Sequence, residues 1–232
     1  MRNKGAGFLV SVASLVLLAG CAGGFGRATT ASPNTPEELE STDKSMHVDL
    51  IRKMLDQEQY YAALAHIQQQ QRSSGNSEEL RYLEAEARRQ LGEGAAAEKL
   101  YRDLLKGRLA GDAYHGLGLL YAPRNLATSV QYLREAAQRR PTDAKVRNDL
   151  GYALLRAGRY AEAMPELSTA VELDPANDKA RNNLVLLLMV TRDEEGVRRV
   201  VDQAGIPPET VARLRSDAQA LQARAAGSGV KK

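Results

Sequence analysis

The chain has 232 residues, 32 Lys plus Arg against 29 Asp plus Glu, and one cysteine, so its formal charge is only +3. That balance lacks the concentrated basic face that nucleic-acid binding demands, and a lone cysteine excludes an intrachain disulfide framework. Ala, Leu, Arg, Glu and Gln are abundant and Trp is absent, which favours helices and excludes a β-rich fold.

Met1-Arg2-Asn3-Lys4 is a short cationic start, followed by an apolar stretch from Phe8 to Leu18 and the run Leu18-Ala19-Gly20-Cys21. Residues 1–20 are therefore built like a secretory signal. The apolar run is shorter than the roughly 20 residues a spanning helix needs. Cleavage before Cys21 removes Arg2 and Lys4 and no acid, leaving 30 Lys plus Arg against 29 acids, so the basicity belongs partly to the signal. A lone cysteine straight after Leu-Ala-Gly resembles the bacterial lipobox. The resemblance implies lipidation of Cys21 on its thiol and new α-amine, and several acyl chains give stable anchoring. It also implies attachment to the outer membrane with the body facing the periplasm, because Ala22 stands where an Asp would favour inner-membrane retention. A plain signal peptide with an incidental cysteine is the alternative.

Residues 21–43 are mostly small and polar, with Pro33 and Pro36 among them and no apolar periodicity. Such a stretch buries too little to offset its ordering entropy. It reads as a flexible tether with an r.m.s. reach of roughly 25 Å, compatible with a short helix over Pro36 to Leu39.

From Lys44 to about Gly205 the chain repeats itself, within a repeat domain that runs to 226. In the clearest unit, 144–177, Leu150-Gly151 leads to Leu154, Gly158, Tyr160, Ala163, Leu167, Ala170 and Leu173-Asp174-Pro175. A shift of 34 places Leu184 on Leu150, and a shift back of 33 places Leu117-Gly118 on Leu150-Gly151. The missing residue falls in the turn Ala122-Pro123-Arg124-Asn125. Gly92, Ala97, Tyr101 and Leu104 mark a further unit, and Leu50, Ile51, Met54, Tyr60, Ala63 and Ile67 the earliest. Gly92 and Gly158 sit where a tight turn needs a left-handed residue. Gly151 and Ala163 sit where two helices of a hairpin would cross closely, and Leu150, Leu154, Leu167 and Leu173 fall on its buried stripes. Glu84, Val185 and Val197 break the pattern and suggest looser contact in the second and fifth units, or a modified end of the stack. This spacing resembles the tetratricopeptide repeat, a 34-residue helix-turn-helix. The fold implied is all-α: a right-handed superhelical array of about five such repeats. Pro207 to about Ala225 would supply a C-terminal capping helix. Residues 227–232 read as a disordered tail.

No constellation for catalysis stands out. His47, His66 and His115 have no partner at metal-ligand spacing. Gly116-Leu117-Gly118 lies inside a helical pattern, so a phosphate loop is not expected. Glu78-Glu79, Glu84-Ala85-Glu86 and Asp193-Glu194-Glu195 read as solvated faces. No enzyme activity, metal or cofactor is expected.

In repeats of this kind the first helices line a concave groove that holds a protein segment. The residues at those positions are Tyr82 and Arg89, then His115 and Leu119, then Lys145, Asn148, Tyr152, Leu155 and Arg156, and finally Lys179, Asn182, Leu186, Met189 and Val190. Asn148 and Asn182 are 34 apart, so stacking would set them side by side. Their amides would either pair with a bound main chain or bond within the stack. Leu186, Met189 and Val190 would either form an adaptable apolar patch or meet the capping helix.

The runs 112–121 and 145–155 and the run Ala180-Arg181-Asn182-Asn183-Leu184 resemble the TadD lipoprotein family of the tight-adherence (Flp pilus) machinery. That resemblance implies a pilotin-like factor binding an outer-membrane secretin or another pilus component. A lipoprotein of another envelope pathway, or an adaptor for a periplasmic hydrolase, would share the same architecture.

Overall fold

The structure, a computed structural model, describes residues 36–229, with side chains from 45 to 225. Eleven helices follow one another among these residues, with no strand. They are α1 (Pro36–Asp56), α2 (Tyr60–Ser74), α3 (Glu78–Gln90), α4 (Gly94–Asp103), α5 (Ala110–Tyr121), α6 (Leu126–Arg139), α7 (Ala144–Arg156), α8 (Tyr160–Leu173), α9 (Asp178–Val190), α10 (Glu194–Ala204) and α11 (Pro208–Gly229). The first ten form five antiparallel hairpins. Each second helix also packs on the first helix of the next hairpin, and first helices follow one another along one side. No hairpin buries its apolar face alone, so the units must stack.

Local chemistry sets the helix ends. Ser77, Asn125, Asp143, Asn177 and Asp193 are N-caps whose side-chain oxygens accept from Leu80, Thr128, Val146, Ala180 and Gly196 amides, a contact worth about 1 kcal/mol each. The third hairpin turns without a left-handed residue, and the turn inside each of the other four uses one. It is Gly92 at φ 79° and Gly158 at φ 71°, as the spacing predicts, but Glu58 at φ 59° and Arg192 at φ 63° in the first and last hairpins.

Close crossings explain the helical glycines. A Cβ on Gly151 would lie 2.6 Å from Leu167 Cγ, and one on Gly118 would lie 2.5 Å from Leu133 Cγ. Gly116 makes room for the fully buried ring of Tyr101. Gly116-Leu117-Gly118 is thus a packing device inside α5.

Several details depart from the sequence pattern. Helix α1 begins at Pro36, within the stretch 21–43 assigned to the tether. Proline suits a first helical position. Helix α11 continues to Gly229, past the boundary at 226. Leu173 is 41% exposed rather than buried, because it closes the last turn of α8. Val185 and Val197 are buried, so the fifth hairpin is not loose. Cys21 lies outside the described residues.

The core falls into three clusters. The first hairpin and α3 hold Ile51, Ala63, Ile67, Leu80 and Leu83. A second cluster gathers around Tyr101, Leu104 and Leu117. The third and largest runs from α6 to α11.

Candidate functional site

The first helices α1, α3, α5, α7 and α9 present their outward-facing side chains to one wall, and the wall divides into an open half and a covered half. In the open half, Arg52 and Asp56 of α1, Tyr82, Glu86 and Arg89 of α3 and Lys145 of α7 line a polar cavity of about 320 Å³. Three residues assigned to the groove from the sequence meet here: Tyr82, Arg89 and Lys145. Tyr152 is 37% exposed, and the Arg156 guanidinium carbon lies 6.0 Å from its ring centroid. At that distance the guanidinium is within reach of the ring's negative face. Leu119 is half-buried in α5, and Leu155 is fully buried.

Beneath this wall runs a chain of bonded polar side chains. In α3, Arg89 Nη2 lies 2.7 Å from Glu86 Oε2, and the Tyr101 hydroxyl donates to the other Glu86 oxygen. Burial alone would raise the Glu86 carboxyl. The Arg89 charge and the hydrogen bonds from Arg89 and Tyr101 outweigh it and hold the group below its usual range. Burial drives the Tyr101 and Tyr82 phenols well above theirs, and the Glu86 charge adds to it.

Farther along, Asp149 of α7 collects three partners. His115 Nε2 of α5 lies 2.9 Å from Oδ2, while Lys179 Nζ of α9 at 2.8 Å and Asn148 Nδ2 at 3.2 Å reach Oδ1. Burial pushes the Asp149 carboxyl up, but the His115 hydrogen bond and the Lys179 charge push harder, so it stays ionised below the usual carboxylate range. Asn148 is 2% exposed, and its Oδ1 accepts from Asn183 Nδ2 at 2.8 Å. Asn148 and Asn182 therefore do not form the expected pair. The neighbour across the stack is Asn183, one position on, and the Asn148 amide is held inside the array. His115 likewise is a buried bridge between repeats rather than an exposed contact.

In the covered half, helix α11 lies on α9. Leu186, Met189 and Val190 are 5–8% exposed and belong to one cluster with Leu214 and Ala218 of α11. Gln222 Nε2 donates to the Val190 carbonyl at 2.9 Å. The apolar patch of the fifth unit thus meets the chain's own last helix.

Asp149, Glu86 and Asn183 went unassigned in the sequence. Glu84 and Glu86 had read as solvated, yet both are partly buried. Arg88 and Gln71 hold Glu84, and Arg89 and Tyr101 hold Glu86. Arg88 and Arg89, three and four residues on, were the available signal, since a carboxylate can be buried when a cation on the same helix face compensates it. No group of three or more metal-ligating side chains occurs among the described residues.

A tetratricopeptide repeat family model matches residues 120–172 and 154–225. Over 215 residues the chain is 34% identical to the TPR repeat-containing protein PA4299 of Pseudomonas aeruginosa, covering 92% of this chain and 82% of that protein. Among solved structures, Pseudomonas aeruginosa PilF matches with a TM-score of 0.64 at 18% identity, over 79% of this chain and 89% of that one. YrrB, a TPR protein with an unusual peptide-binding site, matches with a TM-score of 0.54 at 18% identity, over 79% and 96%. MamA of Desulfovibrio magneticus RS-1 matches with a TM-score of 0.55 at 19% identity, over 73% and 95%. At these identities the likeness to solved structures is one of fold.

Proposed function

The chain belongs to the tetratricopeptide repeat family, and on that premise we propose that it is a lipid-anchored periplasmic scaffold assisting assembly of a Flp (tight-adherence) pilus secretin as a pilotin-like factor. The family's repeats are non-enzymatic scaffolds for protein partners. The observation that carries partner binding is the open half of the groove. Lys145 is exposed beside Tyr82 and Arg89 on that cavity, and farther along α7 the exposed ring of Tyr152 lies beside the exposed Arg156 guanidinium. The buried network below fixes the wall, so a partner meets a preformed surface and ordering costs are small. The placement at the outer membrane rests on Leu18-Ala19-Gly20-Cys21 and Ala22. The pathway rests on the runs 112–121, 145–155 and 180–184, which resemble the TadD lipoproteins.

A photo-crosslinking residue at Tyr152 in the living host tests this reading. Capture of a secretin or pilus subunit supports it. Capture of a hydrolase or a barrel-assembly protein overturns the pathway and leaves the scaffold. Capture only from positions on the second helices overturns the groove.

A further inference from the structure

The first hairpin carries an apolar face that nothing in the described chain covers. Met46 is 65% exposed, Leu50 42% and Tyr61 78%. These are three of the five exposed large hydrophobic side chains among the described residues; Tyr152 and Leu173 stand alone elsewhere. Met46 and Leu50 follow at a four-residue step, so they share one side of α1, and half-buried Met54, which packs on the first core cluster, borders it. Successive residues turn by about 100°, which separates this side from the two already used. Ile51, Val48 and Leu55 pack inward, and Arg52 and Asp56 line the groove cavity. Met46 and Leu50 therefore point out of the end of the array, away from α3. Antiparallel pairing sets exposed Tyr61, in the first turn of α2, beside the last turn of α1, at the far edge of the same hairpin. At the opposite end α11 covers α9, so the array is closed at one end and open at the other.

We propose that this open end face docks on the surface of a lipid bilayer. The proposal rests on the lipid-anchor reading for its geometry. Fourteen residues separate Cys21 from Pro36, a number that spans at most about 50 Å, and α1 adds about 15 Å from Pro36 to Met46. With Cys21 held in the membrane, the end face is the part of the array that lies nearest to it. Tyrosine, with an apolar ring and a polar tip, suits the headgroup level. Exposed Asp49 and Lys53 flank the face on α1 and Glu58 follows the helix, so the nearby charges nearly cancel. Apolar burial rather than charge then carries the contact, and salt changes it little. So small a patch binds weakly when free. The tether raises its effective concentration enough to hold it down. Docking would turn α1 toward the membrane and leave the groove facing the periplasm.

The chain has no tryptophan and one cysteine, which makes the test direct. The chain from Cys21 onward keeps the whole array. It is coupled through Cys21 to a maleimide phospholipid in vesicles of phosphatidylethanolamine and phosphatidylglycerol. Separate variants carry a single reporter: Leu50→Trp, Tyr61→Trp or, as a control on α8, Leu173→Trp. The first two are expected to shift to the blue on tethering and to lose emission to lipids brominated near the headgroup, at both low and high salt. The control should do neither. A Met46→Glu change should abolish the loss at Tyr61→Trp, with unchanged circular dichroism. Emission that ignores brominated lipid overturns the proposal. So does a blue shift without quenching that grows with protein density, since a second copy would then cover the face. Incorporation of labelled palmitate at Cys21 in the host tests the anchor reading separately, because the maleimide tether does not depend on it.

Discussion

His115 and Asp149 stand 34 residues apart in the chain and 2.9 Å apart in space. An ionised carboxylate can only accept, so His115 Nε2 is the donor. The bond joins the third hairpin to the fourth, and Lys179 and the Asn148–Asn183 pair extend it to the fifth. Repeat periodicity has here set a polar seam rather than a row of ligand contacts.

Removing the acceptor should be costly. Asp149→Ala leaves a buried imidazole and the Asn148 amide short of a partner, and it should lower stability by about 2–3 kcal/mol. Lys179 is 64% exposed at its side chain, so Lys179→Ala should cost under about 1 kcal/mol. Urea denaturation followed by circular dichroism measures both. Equal losses would mean that the seam carries no stability.

The two buried carboxylates also fix a pH dependence. Asp149 and Glu86 titrate below their usual range when folded, so the unfolded chain binds protons first as pH falls. Their stabilisation is complete above the ordinary carboxylate range of about 4 and is lost as pH drops through the lowered folded values. Denaturation midpoints at pH 7 and pH 3 should therefore differ less in Asp149→Asn and Glu86→Gln than in the parent. An unchanged difference would assign acid sensitivity to other groups.

Packing at the helix crossing offers a third test. A methyl group on Gly151 would press on Leu167 at 2.6 Å. Gly151→Ala should destabilise by about 1–3 kcal/mol through overpacking, despite alanine's better helix propensity. Stabilisation would show that α7 and α8 can move apart without loss.

Turn residues predict the opposite sign. Glu58 and Arg192 adopt a left-handed conformation that costs a side-chain-bearing residue about 1–2 kcal/mol, whereas glycine occupies the same turn position at 92 and 158. Glu58→Gly and Arg192→Gly should raise the melting temperature or leave it unchanged, with the gain limited to about 1 kcal/mol by glycine's extra unfolded-state freedom. A clear fall would reveal a contact made by either side chain.

The groove can be tested without disturbing the fold. Lys145→Glu with Arg156→Glu reverses two exposed charges and removes no bond in the buried seam. Cross-linking yield at Tyr152 should fall several-fold at unchanged melting temperature. Equal yield would place recognition on another surface.

Much of this architecture is legible in the sequence. Leu150-Gly151, Ala163, Gly158 and Pro175 mark crossing, turn and stop, because each demands a small, left-handed-tolerant or helix-breaking residue. The covered and open halves of the groove were less accessible. Met189 has the same spacing whether it faces a partner or α11, and periodicity cannot say which. Asn148 illustrates a finer limit. A period of 34 predicts a pairing with Asn182, but neighbouring first helices meet at a stagger of one residue, which selects Asn183. Glu86 was misread because a carboxylate on a helical pattern reads as exposed until its tertiary partner, Tyr101 from the next helix, is in place.

The division of the core into three clusters bears on how the molecule carries load. Ile51 and Ile67 belong to the smallest cluster, and the largest binds α6 through α11. Hairpins pack chiefly on their neighbours, so tension drawn through α1 reaches the rest of the array largely one hairpin at a time. The first hairpin should peel away at the lowest force while α7 to α11 stay folded. A pull at the tethered end would thus be absorbed as extension of α1 and α2, leaving the wall around Tyr152 and Arg156 in its working shape.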